Sequence, residues 1–104
     1  MAEGHVLVTV DTKGVATVTL NRPEMHNAIN GEAIERLTRE LRTLGEDDDV
    51  RVVVLTARGP SFCSGADLNW MKKTAEYSEA ENLQDASALA ELLLVLDTLP
   101  KPTV

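Results

Sequence analysis

The first twenty residues alternate between apolar and polar side chains with a period of two. Residues 5–10 and 15–20 are rich in β-branched side chains, and Asp11-Thr12-Lys13-Gly14 separates them. A short connection that ends in glycine is typical of a β-hairpin, because glycine readily adopts a positive φ. The pattern therefore predicts that the chain begins with two antiparallel strands.

A helical pattern follows the second strand. Four aliphatic residues recur at spacings of three and four and form one apolar stripe: Ile34, Leu37, Leu41 and Leu44. Asn30 is the predicted N-cap, and Gly45 is the residue predicted to end the helix. The acidic run at residues 46–49 would be unfavourable at a helix C-terminus, so we expect it in a solvated loop.

The continuous apolar run at residues 52–55 predicts a strand that is covered on both faces. A loop at residues 57–67 follows, and a short helix is predicted to begin near Asp67. A longer helix is predicted at residues 86–99, with four leucines on one face: Leu89, Leu92, Leu93 and Leu96. Pro100 and Pro102 end it, and Thr103 and Val104 look like the start of another strand. The fold class indicated is α/β.

The charge balance limits the partners that the chain can have. Seventeen acidic and 10 basic side chains give a formal net charge of -7. This balance argues against nucleic acid and anionic membrane surfaces as partners. No apolar run approaches the roughly 20 residues of a membrane span. The single cysteine, Cys63, cannot form an intramolecular disulfide, and the composition indicates a soluble cytoplasmic domain.

Residues 59–73 (GPSFCSGADLNWMKK) follow the buried strand and lead into a helix. Ligands of α/β sheets bind at the carboxyl ends of such strands. Ser64, Gly65 and Ala66 are small enough to let a ligand approach the backbone, and Asp67 can cap the next helix. Unpaired N–H groups at such a position can hold a carbonyl oxygen that becomes negative during a reaction. An ordinary surface loop with a helix cap explains the residues equally well.

Other candidate groups favour structural interpretations. Residues 20–30 (LNRPEMHNAIN) fit a plain β-to-α connection. Cys63 has no histidine near it in sequence to activate it, so a structural thiol is the better interpretation. No cluster of ligand side chains predicts a metal site. Lys72 and Lys73 fit a solvated helix face, with contact to the phosphates of an anionic ligand as the weaker alternative.

Taken together, LNRP…NA after the second strand and FCSGADL after the third resemble the two fingerprints of the crotonase (enoyl-CoA hydratase/isomerase) family. They occur in the family's order and separation, and KP precedes the expected fourth strand. The resemblance spans essentially the whole chain, although family members are more than twice as long. Residues 1–104 are therefore expected to be the N-terminal part of a crotonase-fold domain that is incomplete here.

The resemblance implies a spiral of ββα turns that assembles as a trimer or a dimer of trimers. It implies acyl-CoA thioester substrates, with coenzyme A as part of the substrate and no separate cofactor. It also implies an oxyanion hole of two backbone N–H groups, the first donated by Ala66. The remaining candidate positions for substrate and CoA are Ser64, Gly65, Asp67, Leu68, Met25 and His26, with Arg22 as a possible phosphate contact. We predict that residues 62–68 form the ligand loop and that the Ala66 N–H has no intrachain partner.

The segment ADLNWMKK is most similar to bacterial hydratases that act on branched or glutaconyl-type CoA esters, such as methylglutaconyl-CoA hydratase. Trp70 and Met71 could line an acyl pocket, or they could pack their helix onto the core or a neighbouring subunit.

Family members carry the second oxyanion donor and the hydratase glutamates further along the chain, and no glutamate here matches a catalytic position. The resemblance thus favours an enoyl-CoA hydratase when the enzyme is intact, with the 104 residues alone inactive. Two alternatives stay open. One is a non-catalytic CoA-binding or assembly module, and the other is isomerase, thioesterase or dehalogenase chemistry on the same oxyanion hole.

Overall fold

The computed structural model describes residues 4–104. The strands are β1 (Val6–Val10), β2 (Val15–Leu20) and β3 (Val52–Ala57). The helices are α1 (Gly31–Glu46), α2 (Leu68–Thr74) and α3 (Glu79–Thr98), and Pro23–Met25 forms one 3₁₀ turn. The order along the chain is therefore β-β-α-β-α-α.

The predicted hairpin is confirmed. β1 and β2 pair antiparallel, with Val6 opposite Leu20. Asp11 closes the turn because its Oδ1 accepts from the N–H groups of Lys13 and Val15 at 2.8 and 2.9 Å. Gly14 has a φ of +86°, the conformation for which glycine was expected.

β2 and β3 pair in parallel, with α1 as the crossover between them, and Leu20 lies opposite Ala57. The sheet order is β1-β2-β3, and residues 102–104 bond to the other side of β3. Val53 is buried while Val52 and Val54 are half-buried, and the expectation of an inner strand covered on both faces is therefore too strong for the described residues.

Helix α1 begins as predicted, because Asn30 Oδ1 accepts from the N–H of Ala33 at 2.9 Å. The predicted apolar stripe is buried and packs against the sheet residues Val6, Ala16 and Val18. The prediction that Gly45 ends the helix is wrong, since α1 continues to Glu46. A Cβ at Gly45 would lie 2.8 Å from Leu99 Cδ1, so this glycine lets the chain after α3 approach the helix closely.

Helix α3 begins seven residues earlier than predicted. Ser78 and Glu81 form a reciprocal capping box at its start, with bonds of 3.2 and 3.0 Å. Leu92 is buried, but Leu93 remains 57% exposed, so the predicted four-leucine face is only partly covered. At the end of the chain, the Val104 N–H donates to Val53 O at 2.9 Å, and Thr103 forms a single parallel bridge with Val53 where a strand start was predicted.

Candidate functional site

Two loops leave the same edge of the sheet. The first loop (residues 21–30) follows β2, and the second loop (residues 58–67) follows β3. Because β2 and β3 are parallel and end in register at Leu20 and Ala57, the loops emerge side by side. This is the edge at which α/β sheets bind ligands, and it holds nearly all of the candidate residues.

A buried asparagine joins the two loops. Asn27 is 2% exposed, and its Nδ2 donates to the carbonyl oxygens of Arg58 and Ser61, both at 2.8 Å. Its Oδ1 accepts from the N–H of Arg22 at 2.8 Å. The side-chain amide thus bonds to three main-chain groups at once. The fingerprint LNRP…NA contains Asn27, but no role could be assigned to it from the sequence, because a single polar residue in a loop has no periodic signal.

The backbone of both loops is held in unusual conformations. His26 and Asn27 have φ values of 52° and 57°, in the left-handed region. Gly59 has a φ of +87°, and a Cβ there would lie 2.7 Å from Pro23 Cβ. The first and second loops therefore touch at a point where only glycine fits.

Ala66 is fixed on both sides by Ile29 of the first loop. The Ile29 N–H donates to Gly65 O at 2.8 Å, and the Asp67 N–H donates to Ile29 O at 2.7 Å. These two bonds make a parallel bridge between Ile29 and Ala66. The bonds to Ile29 are made by Gly65 and Asp67, the two neighbours of Ala66. The N–H of Ala66 itself therefore points away from Ile29.

The Ala66 N–H consequently has no acceptor among residues 4–104, as predicted for the ligand loop. Ala66 is exposed, and so are Ser64 and Gly65 beside it. Gly65 has a φ of +106°, and a Cβ built there meets no atom within 4 Å. The glycine is therefore required by the backbone conformation and not by close packing.

Asp67 is the charged group at the base of the site. Its Oδ1 caps α2 by accepting from the N–H groups of Asn69 and Trp70 at 2.7 and 3.1 Å, as predicted for an N-cap. Its Oδ2 lies 2.6 Å from Nη1 of Arg22. The Trp70 N–H and then the Arg22 guanidinium lower the pKa of Asp67, while burial opposes the shift. The carboxylate is therefore ionised at neutral pH.

The other candidate residues lie around this edge. Met25 is 39% exposed and Leu68 is 71% exposed. His26 is exposed, with its Nδ1 at 3.1 Å from Ser61 Oγ, and its carbonyl accepts from the Ser64 N–H at 3.0 Å. Arg22 contacts Asp67, and its side chain is 18% exposed. The structure brings the set together, but it gives Arg22 a protein partner where a phosphate contact was predicted.

The two candidate residues of α2 differ in burial. Trp70 is half-buried and packs against the core, whereas Met71 is 51% exposed. The packing interpretation therefore holds for Trp70, and an acyl contact remains a prediction for Met71. Cys63 is exposed, with its Sγ 4.0 Å from Gly65 O.

Within residues 4–104, no group of three metal-ligating side chains converges. No helix in that range has the length and apolar content needed to cross a membrane.

Comparison with known proteins identifies a family. The enoyl-CoA hydratase/isomerase family model matches residues 11–104. A Thermus thermophilus protein named for enoyl-CoA hydratase is 40% identical over 98 residues, which cover 94% of this chain and 39% of the relative. A trans-2-decenoyl-[acyl-carrier-protein] isomerase of Streptococcus mutans is 36% identical over 104 residues, which cover 96% of this chain and 38% of that protein.

A solved enoyl-CoA hydratase from Shewanella pealeana superposes with a TM-score of 0.93 at 37% identity, over 96% of this chain and 37% of that one. The chain thus spans under two fifths of the length of these relatives.

Proposed function

Because the chain belongs to the enoyl-CoA hydratase/isomerase family, we propose that it supplies the acyl-CoA loop and one oxyanion donor of such an enzyme. The observation that carries the proposal is the Ala66 N–H, which belongs to an exposed residue and has no acceptor among residues 4–104. It points away from Ile29 at the edge of the sheet from which the two loops emerge. The acceptor that fits is the thioester carbonyl oxygen of an acyl-CoA.

The chemistry follows from this hydrogen bond. Polarising the thioester carbonyl draws electrons from a conjugated double bond, so that hydroxide adds at the β carbon while negative charge collects on the carbonyl oxygen as an enolate. A proton at the α carbon completes the addition of water. One preorganised donor of this kind is worth about a hundred- to a thousandfold in rate, because it binds the enolate more strongly than the neutral carbonyl.

The remaining loop residues are proposed as the CoA path. Ser64, Gly65 and Leu68 are exposed beside the free N–H, and Met25 and His26 face the same edge from the first loop. The proposal needs no metal or separate cofactor, since coenzyme A is part of the substrate. A homo-oligomer and a cytoplasmic location are part of the proposal as well.

Hydration is the reaction proposed for the intact enzyme, on a branched or glutaconyl-type acyl group. Isomerisation is the second candidate, since one relative is named as an isomerase. Both reactions pass through an enolate on the same oxygen, and they differ in the acid and base groups.

No glutamate of the 104-residue chain matches a catalytic position, so we expect the chain alone not to hydrate crotonyl-CoA. Turnover above the buffer rate, followed by loss of the conjugated-enoyl absorbance, would contradict this.

The donor itself can be tested with two ligands that differ only in the carbonyl group. Butyryl-CoA has a thioester carbonyl, and S-butyl-CoA is the thioether without it. We expect the chain to bind butyryl-CoA about fivefold more tightly, because one hydrogen bond contributes about 1 kcal/mol. Calorimetric titration of both ligands measures the ratio, and equal affinities would overturn the proposal.

Cys63 makes a single-atom control possible. Residues 1–62 can be ligated at this cysteine to synthetic residues 63–104 in which an ester replaces the amide at Ala66, so that only its N–H is lost. The preference for butyryl-CoA should then disappear. The ester also weakens Gly65 O as the acceptor of the Ile29 N–H, but an opened bridge would lower the affinity for S-butyl-CoA too. The ratio of the two affinities therefore reports on the donor alone.

A further inference from the structure

The Arg22–Asp67 ion pair is nearly enclosed, which is unusual for two charged side chains at a loop edge. Their side chains are 18% and 3% exposed, and Nη1 lies 2.6 Å from Oδ2. A pair of this kind is costly to remove from water, so its presence alone is weak evidence that it stabilises the fold. Both residues line a surface pocket, but Arg22 Nη1 and both carboxylate oxygens of Asp67 already have protein partners.

The same guanidinium nitrogen holds both sides of the Ile29–Ala66 bridge. Arg22 Nη1 donates to Asp67 Oδ2 and also to Ala28 O at 3.3 Å. Ala28 precedes Ile29, and Asp67 follows Ala66. Arg22 Nη1 therefore links the residue before Ile29 to the residue after Ala66. It joins the two segments whose bridge sets the direction of the Ala66 N–H.

The bridge needs such a connection because of Gly65. The direction of the Ala66 N–H is set by the peptide plane between residues 65 and 66, and glycine permits rotation on its side of that plane. Two backbone hydrogen bonds, at 2.8 and 2.7 Å, are all that the bridge itself supplies. The ion pair adds a third connection, on the C-terminal side of Ala66.

We propose that Arg22 and Asp67 are positioning residues that fix the direction of the Ala66 N–H. The inference rests on the proposed function, since it assigns these residues to the alignment of the oxyanion donor. It gives Arg22 a role beside the phosphate contact, which stays a prediction. Asp67 has two roles: Oδ1 caps the N-terminus of α2, and Oδ2 accepts a hydrogen bond from Arg22.

The variant Asp67→Asn tests the contact with Arg22 separately from the helix cap. Asparagine is as good an N-cap as aspartate, so α2 keeps its cap, while the Arg22 guanidinium loses its anion. We expect the fivefold preference for butyryl-CoA over S-butyl-CoA to fall to about one, with S-butyl-CoA affinity unchanged. A role confined to stability would lower both affinities together. Arg22→Lys keeps the positive charge but loses the planar geometry of the guanidinium, and we expect an intermediate preference.

The outcomes separate this inference from the proposed function. Equal affinities in the unmodified chain overturn both. A fivefold preference that persists in Asp67→Asn at unchanged S-butyl-CoA affinity overturns the positioning role alone. If Asp67→Asn fails to fold by circular dichroism, Arg22→Lys decides, and a full preference in that variant overturns the inference. A ¹⁵N-alanine label gives a second readout, because the Ala66 signal should shift with butyryl-CoA only where the preference is retained.

Discussion

Asn27 is the residue whose replacement should damage the two-loop scaffold most. Asn27→Ala removes three hydrogen bonds of 2.8 Å to main-chain groups of Arg22, Arg58 and Ser61. At about 1 kcal/mol each they contribute about 3 kcal/mol. Alanine in the left-handed conformation of this position adds about 1 kcal/mol. We therefore expect a loss of about 4 kcal/mol, a large part of the 5–15 kcal/mol that is usual for a domain.

The control substitutions divide this loss into its causes. Asn27→Gly relieves the left-handed backbone but adds about 0.5–1 kcal/mol of unfolded-state entropy, so it should cost nearly as much as Asn27→Ala. Asn69→Ala, at an exposed asparagine of α2, should change stability by about 0.5 kcal/mol or less.

Asn27→Asp gives the most specific signature. Aspartate keeps the acceptor for the Arg22 N–H but places an anionic oxygen against the carbonyls of Arg58 and Ser61. The folded state should therefore favour the protonated carboxyl, which raises its pKa above the unfolded value. A group of this kind binds more protons in the folded state, so the variant should gain stability as the pH falls from 7 toward about 4.

Urea unfolding followed by circular dichroism at matched protein concentration measures these effects. With an m-value of about 1–3 kcal/mol/M, the expected loss lowers the midpoint by more than about 1 M. An Asn27→Ala midpoint within the range of Asn69→Ala would refute the reasoning. So would an Asn27→Asp variant whose stability does not rise on acidification.

Three further outcomes are expected. The pKa of Asp67 is lowered by the Trp70 N–H and the Arg22 guanidinium. Its contribution to the free energy of unfolding is therefore present above the unfolded pKa of about 3.9 and is lost as the pH falls below that value. Urea midpoints from pH 5 to 2 should fall more in the unmodified chain than in Asp67→Asn. Gly65→Ala should cost about 1–3 kcal/mol in the same assay through backbone strain alone, since its φ is +106° with open space around it. Self-association at micromolar concentration is also expected, because Leu93 and Val104 are 57% and 78% exposed and line one groove with Phe62. Light scattering that shows a monodisperse monomer with a cooperative melt would contradict it.

Much of the local structure could be predicted from the sequence because it depends on neighbouring residues. The hairpin follows from β-branched alternation and a turn glycine, and the caps of α1 and α2 follow from Asn30 and Asp67. The α/β class and the crotonase-type fold predicted from the two fingerprints are confirmed over this chain. The branched or glutaconyl preference of the acyl group stays a prediction.

The errors arose where long-range contacts or capping override apolar periodicity. The first turns of α3 are polar, so no stripe indicated them, although the Ser78–Glu81 capping box was available as a signal. Gly45 looked like a helix end, but it is needed for the approach of Leu99. The contact between Arg22 and Asp67 gave no local signal, because the two residues are 45 positions apart in sequence; the phosphate contact of Arg22 stays a prediction.

The group on which the proposed chemistry depends is a main-chain N–H, which every residue except proline carries. Its chemical identity therefore leaves no mark in the sequence at Ala66. What the sequence can record is the set of residues that aim the group. Gly65 permits the turn, Asn27 holds the two loops together, and Asp67 receives Arg22 behind the bridge. This explains why fingerprints made of glycine, asparagine, arginine and aspartate identify the family, although none of those side chains is proposed to act on the thioester carbonyl.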